Sequence, residues 1–141
     1  MSDDGFDMRE IDAFNRRLLN LANNQFPKET KKFLQKEGNK LKTKTRAKVK
    51  QKVKKDTGNY QKSIKRGKVY KFDGADSVRV YSGDPKSHLI EYGHKIVGKD
   101  GTEHGFKQGE HVFADAAQEF NNEFIADCEQ FIDEMLDKGL R

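Results

Sequence analysis

Four histidines, a single cysteine and a glycine-rich stretch carry the residue types from which this chain could build chemistry. His88, Glu91 and His94, with His104 and His111 in reserve, offer groups that could ligate a metal. A His-x-x-Glu pair can share one helix face, but His94 follows Gly93, beyond the expected helix end, and the His-Glu-x-x-His zinc pattern is absent. Hydrogen bonds that fix a loop are the simpler use of these side chains. Cys128 falls on an apolar helical stripe, where its job is packing, and no Ser sits in a Gly-x-Ser-x-Gly turn, so nucleophilic hydrolysis has no foothold. The stretch from Gly98 to Gly109 lacks both the Gly-x-Gly-x-x-Gly fingerprint and the Gly-Lys-Ser/Thr phosphate loop, which argues against nucleotide binding. The sequence predicts no enzyme, no metal and no cofactor.

Charge is the stronger signal. The net charge of +5 hides a segregation of signs: residues 28–72 hold eighteen Lys or Arg against Glu29, Glu37 and Asp56, whereas residues 110–137 hold nine carboxylates and no cation. Opposite faces of this kind can attract within the fold or between copies, and the basic side can also meet phosphate. Lys40 to Lys55 is the densest part. Its cations are interleaved with Thr, Ala, Val and Gln and not with aromatics, so no base-stacking platform is visible. Non-specific DNA binding, a solvated face and a subunit contact remain open for it, and Lys44, Arg46, Lys48 and Lys50 are the candidate residues for contact with an acidic neighbour.

The elements that position these groups follow from periodicity. Residues 7–24 read as a helix, with Asp7 and Glu10 spaced as a capping box and Ile11, Phe14, Leu18, Leu21 and Ala22 on one face. Pro27 suits the first turn of a second helix to about Lys55, with Phe33, Leu34, Leu41, Val49 and Val53 as its apolar positions, although the alternation from Lys42 to Lys54 also fits a strand. Asp56-Thr57-Gly58-Asn59 is a break. Ile64 to Phe72 and Ser77 to Ser82 then form an antiparallel hairpin turning at Asp73-Gly74-Ala75-Asp76, with Tyr70 and Phe72 on one face. A short helix spans Lys86 to Tyr92 and closes at Gly93; an Asp100-Gly101 turn tips a second hairpin or a mobile arm. Residues 112–138 form a long helix through Phe113, Ala116, Phe120, Phe124, Cys128, Phe131, Ile132 and Met135, ending at Lys138-Gly139.

At 141 residues, with 33% hydrophobic and 36% charged residues, the chain reads as one α+β domain with a thin core that neighbours could complete, preceded by a disordered tail over residues 1–6. No run approaches a membrane span, and the acidic start has no signal-peptide character, so a cytosolic origin is expected.

Three motifs bring a family into view. Asp56-Thr57-Gly58-Asn59-Tyr60-Gln61-Lys62-Ser63-Ile64 resembles the Asp-Thr-Gly-x-Leu-x-x-Ser-Ile element of the small neck or tail-completion (head-to-tail joining) proteins of long-tailed bacteriophages and prophages, with Tyr60 in place of an aliphatic residue. Leu89-Ile90-Glu91-Tyr92-Gly93-His94 is similar to that family's short helix ending in a Glu-aromatic-Gly turn. Residues 105–113 with Ala116-Ala117 resemble its Gly-rich lead into the C-terminal helix, with Gln108 and Glu110 where the family often carries Pro and Arg. The resemblance implies a small antiparallel sheet flanked by an N-terminal helix pair and a long C-terminal helix, in a virion protein assembled in the host cytoplasm. It implies a ring of six copies at the neck or tail end, contacting itself and other neck and tail proteins. Thr57, Gly58, Glu91, Tyr92, Gly93 and His94, with His88, are then structural-turn residues, and the arm from Ile96 to Phe106, with Val97, the inter-subunit element.

Overall fold

The computed structural model describes residues 8–53 and 58–140. Helix α1 (Met8–Asn20) does not stop before Pro27: it passes through a π turn (Leu21–Gln25) directly into α2 (Phe26–Lys52), with helical torsions at Asn20 and Phe26. The expected helix pair is present, with Pro27 in the first turn of the second helix, and the π turn joins the two without a break. The Phe26 N–H reaches back to the Leu21 carbonyl across the wide turn, and Pro27, which has no N–H to donate, follows it at the start of α2. The expected cap at Asp7, the tail over residues 1–6 and the break at Asp56-Thr57 lie outside the described residues.

Gly58, at φ 94°, opens the short helix α3 (Asn59–Ser63). The expected first hairpin is present but interrupted: β1 (Ile64–Arg66) pairs with β4 (Val80–Ser82), and β2 (Tyr70–Phe72) with β3 (Ala75–Ser77). The register slips by one residue between the two ladders, and the turn is two residues long, with Asp73 at φ 51° and Gly74 at φ 81°. Positive φ at both positions is the geometry whose twist matches the strands. Helix α4 (Ser87–Tyr92) ends at Gly93; β5 (Gly93–Val97) and β6 (Glu103–Gln108) form the second hairpin, and α5 (Val112–Leu140) closes the chain. The architecture is α+β, with three two-stranded antiparallel ladders in place of a single small sheet.

Helix α5 runs antiparallel to α2, and the segregated charges meet there. Lys40 Nζ lies 2.7 Å from Asp127 and Lys48 Nζ 2.5 Å from Glu119, while Lys52 pairs with Asp115. Phe33 stacks on Phe131 at 4.5 Å, with Phe26 edge-on to the same ring. Partly exposed pairs contribute at most about 1 kcal/mol each, so the aromatic contacts hold the helices together and the charges set their register. Gly139 does not end α5 as expected; it sits where a Cβ would come within 2.6 Å of the Leu21 side chain, so its lack of a side chain serves helix packing. Ile132 is 44% exposed and so leaves the predicted buried stripe, and Leu18 on α1 is 42% exposed. Cys128 is half-buried and its thiol is pushed up chiefly by desolvation, which keeps it protonated and in a packing role.

Glu37 has a different position. It is 3% exposed between α2 and α5, and one carboxylate oxygen has no hydrogen-bond donor. Burial, and then the Asp127 carboxylate, push it up to about 7, since the neutral acid can donate to Asp127. The folded state therefore holds a proton that the unfolded chain releases near pH 4.5, and this stabilisation is lost as pH rises through about 7. The loss is about 3 kcal/mol from pH 4.5 to pH 8. Glu37→Gln, which keeps a donor to Asp127, should raise the melting temperature at pH 8 and flatten its slope between pH 5 and 8; an unchanged slope on thermal scans would contradict this.

Candidate assembly surface

The small core places the surface. Val49, Tyr60, Ile64 and Val112 are buried together, with Val53, Val80, Ile90 and Phe113 packed around them. Tyr60, at the position usually aliphatic in the resembled motif, is 4% exposed and its hydroxyl lies 3.2 Å from Ser87 Oγ, tying α3 to α4.

Glu91 links this core to α5. It is 6% exposed, and its two oxygens accept the Phe113 N–H at 2.9 Å and the Ala114 N–H at 3.0 Å. These are orphan donors of the first turn of α5, so a carboxylate from α4 caps a helix twenty residues on and faces its positive end. Its carboxylate is thus engaged, and among the described residues no group of three or more His, Cys, Asp or Glu is placed to hold a metal ion. The main chain repeats the link: Glu110 N–H donates to Ile90 O at 2.7 Å and His111 N–H to Glu91 O at 3.2 Å.

Gly93 and Gly109 make that approach possible. Gly93 stands at φ 86°, where a Cβ would overlap the Lys107 carbonyl and lie 2.8 Å from Gly109 N; a Cβ at Gly109 would lie 2.6 Å from the Tyr92 carbonyl carbon. Tyr92 is 70% exposed. His88 is exposed, and His94 Nδ1 is buried with no hydrogen-bond partner among the described residues.

From this base the β5–β6 arm projects. Ile96, Val97 and Phe106 are all large exposed hydrophobics, and every residue of β6 is exposed. The Asp100-Gly101 turn is held by Gly98 N–H to Thr102 O at 2.8 Å and by Asp100 Oδ1 accepting the Thr102 N–H, which lowers the Asp100 carboxyl. Three further exposed aromatics, Tyr70, Phe72 and Tyr81, lie on the first hairpin, and Arg79 stacks over Tyr81 at 5.2 Å. Lys71 stands between Tyr70 and Phe72 in the sequence, and Arg79 two residues before Tyr81, but an outward aromatic cannot be told from an inward one by alternation alone.

The basic helix is differently placed from what its sequence suggested. Lys48 is paired with Glu119 inside the chain, and Arg46 donates from Nε and Nη2 to the Ile64 carbonyl at 3.2 and 2.8 Å. Both face inward because α5 and β1 pack on that side of α2. Lys50 is exposed and Lys44 half-buried.

Helices α2 and α5 thus form a frame joined to short ladders that leave apolar side chains outside. A model of the HK97-gp10-like family, described as "Bacteriophage HK97-gp10, putative tail-component", matches residues 12–93, more than half of the chain. The chain belongs to this family of phage tail components. The match takes in the Asp-Thr-Gly and Glu-aromatic-Gly motifs and ends at Gly93, before the arm and α5. No curated protein and no solved structure matched.

Proposed function

We propose that this tail component is a non-catalytic structural protein of the virion neck or tail-tube end, which assembles into a ring that completes the tail and supports head-to-tail joining. The observation that carries the reading is the arm: a two-stranded ribbon rigidly rooted through Glu91, Gly93 and Gly109, yet with Ile96, Val97 and Phe106 outside any core. A chain that invests close backbone packing in holding an apolar ribbon away from itself has the form of one that packs on a neighbour. Gold-labelled antibody against the chain should decorate assembled particles at the head-proximal end of the tail; labelling along the tube or at the distal tip would overturn the reading.

A second reading, non-specific DNA contact, draws support from the first hairpin and less from α2, where Lys40, Lys48 and Lys52 face α5 carboxylates. On the hairpin, exposed Tyr70, Phe72 and Tyr81 stand beside Lys71 and Arg79, and aromatics beside cations can stack bases and neutralise phosphates. A gel-shift titration in rising salt should reveal only weak binding if the assembly reading holds, whereas tight binding with a steep salt slope would favour DNA.

A further inference from the structure

Strand β4 carries an unused edge. Gly67 N–H donates to the Arg79 carbonyl at 2.8 Å, which makes Gly67 and Arg79 a bonded pair of the β1–β4 ladder. Bonded and non-bonded pairs alternate along an antiparallel ladder, so Lys65 and Tyr81 bond across it, while the peptide groups of Ile64, Arg66, Val80 and Ser82 point outward. On the β1 side the outward Ile64 carbonyl is taken by Arg46. On the β4 side, the N–H and C=O groups of Val80 and Ser82 have no backbone hydrogen bond from another element among the described residues. They open into a groove of about 640 Å³ lined by Val80, Tyr81, Pro85, His88, Tyr92 and Phe113. A free strand edge beside an aromatic groove is what an added strand requires: main-chain bonds for affinity and pockets for alternate side chains.

The same chain holds a matching strand. Strand β6 pairs with β5 on one side only, is exposed along its whole length, and presents Phe106 and Lys107. It does not reach its own groove: no residue of β5 or β6 lines that space, and the arm is anchored at its base, where Glu110 N–H meets the Ile90 carbonyl. Asp84, on the groove rim, offers an opposite charge to Lys107 of an incoming strand.

We infer that the β6 edge of one copy adds to the β4 edge of the next, with Phe106 seated in the aromatic groove, to form a four-stranded intermolecular sheet. This rests on the self-assembly reading above and names the two surfaces it uses. Because arm and groove are different surfaces, the contact is heterologous, and repetition of it closes a ring where the rotation permits.

Two exposed substitutions separate the halves without touching the core: Phe106→Asp on the arm and Tyr92→Asp in the groove. In sedimentation of the full chain at millimolar concentration, wild type should associate and each variant alone should remain monomeric. Equimolar mixing of the two variants should restore a 1:1 dimer, since one intact arm and one intact groove remain. Hydrogen exchange adds a backbone readout: the Val80 and Ser82 amides should become protected on association, whereas the Tyr81 amide, already bonded to β1, should be protected before and after. Wild type that associates while Phe106→Asp associates equally, or association without protection at Val80 and Ser82, would overturn this interface and leave self-assembly standing. Wild type that stays monomeric would overturn both.

Discussion

Glu91→Ala should lower the melting temperature by roughly 10 °C, from the loss of about 3 kcal/mol. Two charge-assisted hydrogen bonds to the Phe113 and Ala114 N–H groups disappear together, and a negative charge is removed from the positive end of α5. Water can partly replace the bond to exposed Ala114 but less readily the one to half-buried Phe113, which keeps the cost below the full worth of two such bonds. Glu91→Gln retains one acceptor and should lose about half as much. Thermal unfolding followed by circular dichroism tests the series; equal melting temperatures for all three proteins would mean that Glu91 does not cap α5.

Gly109→Ala should be still more damaging, because the obstacle is main chain and cannot rotate away. A Cβ there would overlap the Glu91 carbonyl oxygen and lie within 2.8 Å of the Glu91 carbonyl carbon. Relief requires the arm base to move off α4, breaking the bonds from Glu110 and His111 to Ile90 and Glu91. A cost of about 3 kcal/mol or more is expected, within the range for severe backbone and overpacking changes. The companion Gly83→Ala, where a Cβ meets nothing within 4 Å, should be close to neutral. Fast exchange at the Glu110 and His111 amides of the Gly109 variant would identify the lesion, and stability equal to that of Gly83→Ala would refute the close-approach account.

These two residues mark the boundary between what sequence reading reaches and what it misses. Helix α5 was legible from the three- and four-residue recurrence of Phe120, Phe124 and Phe131, and both hairpin turns from Asp73-Gly74 and Asp100-Gly101, because these signals are local. The role of Glu91 was not, because its partners stand some twenty positions away and the chain must first fold α4 against α5. Pro27 does open the second helix as its position implies, but no local signal shows that a π turn, with no break in the chain, would join that helix to the first. The polarity of the basic run is plain in the sequence, but alternation cannot say which of its cations meet α5 or β1, and the fold turns Lys48 to Glu119 and Arg46 to the Ile64 carbonyl. The arm, by contrast, is marked in the sequence by its glycines, its charges and the Asp100-Gly101 turn; the exposure of Ile96, Val97 and Phe106 is visible only in the structure.

The central claim, that this chain completes a phage tail at its junction with the head, is tested most directly by deleting its reading frame from the parent phage or prophage, inducing lysis and examining the particles by negative-stain electron microscopy. The account predicts full heads beside unattached tails, with normal particles restored when the wild-type chain is supplied in trans. Intact, infectious particles from the deletion would contradict it.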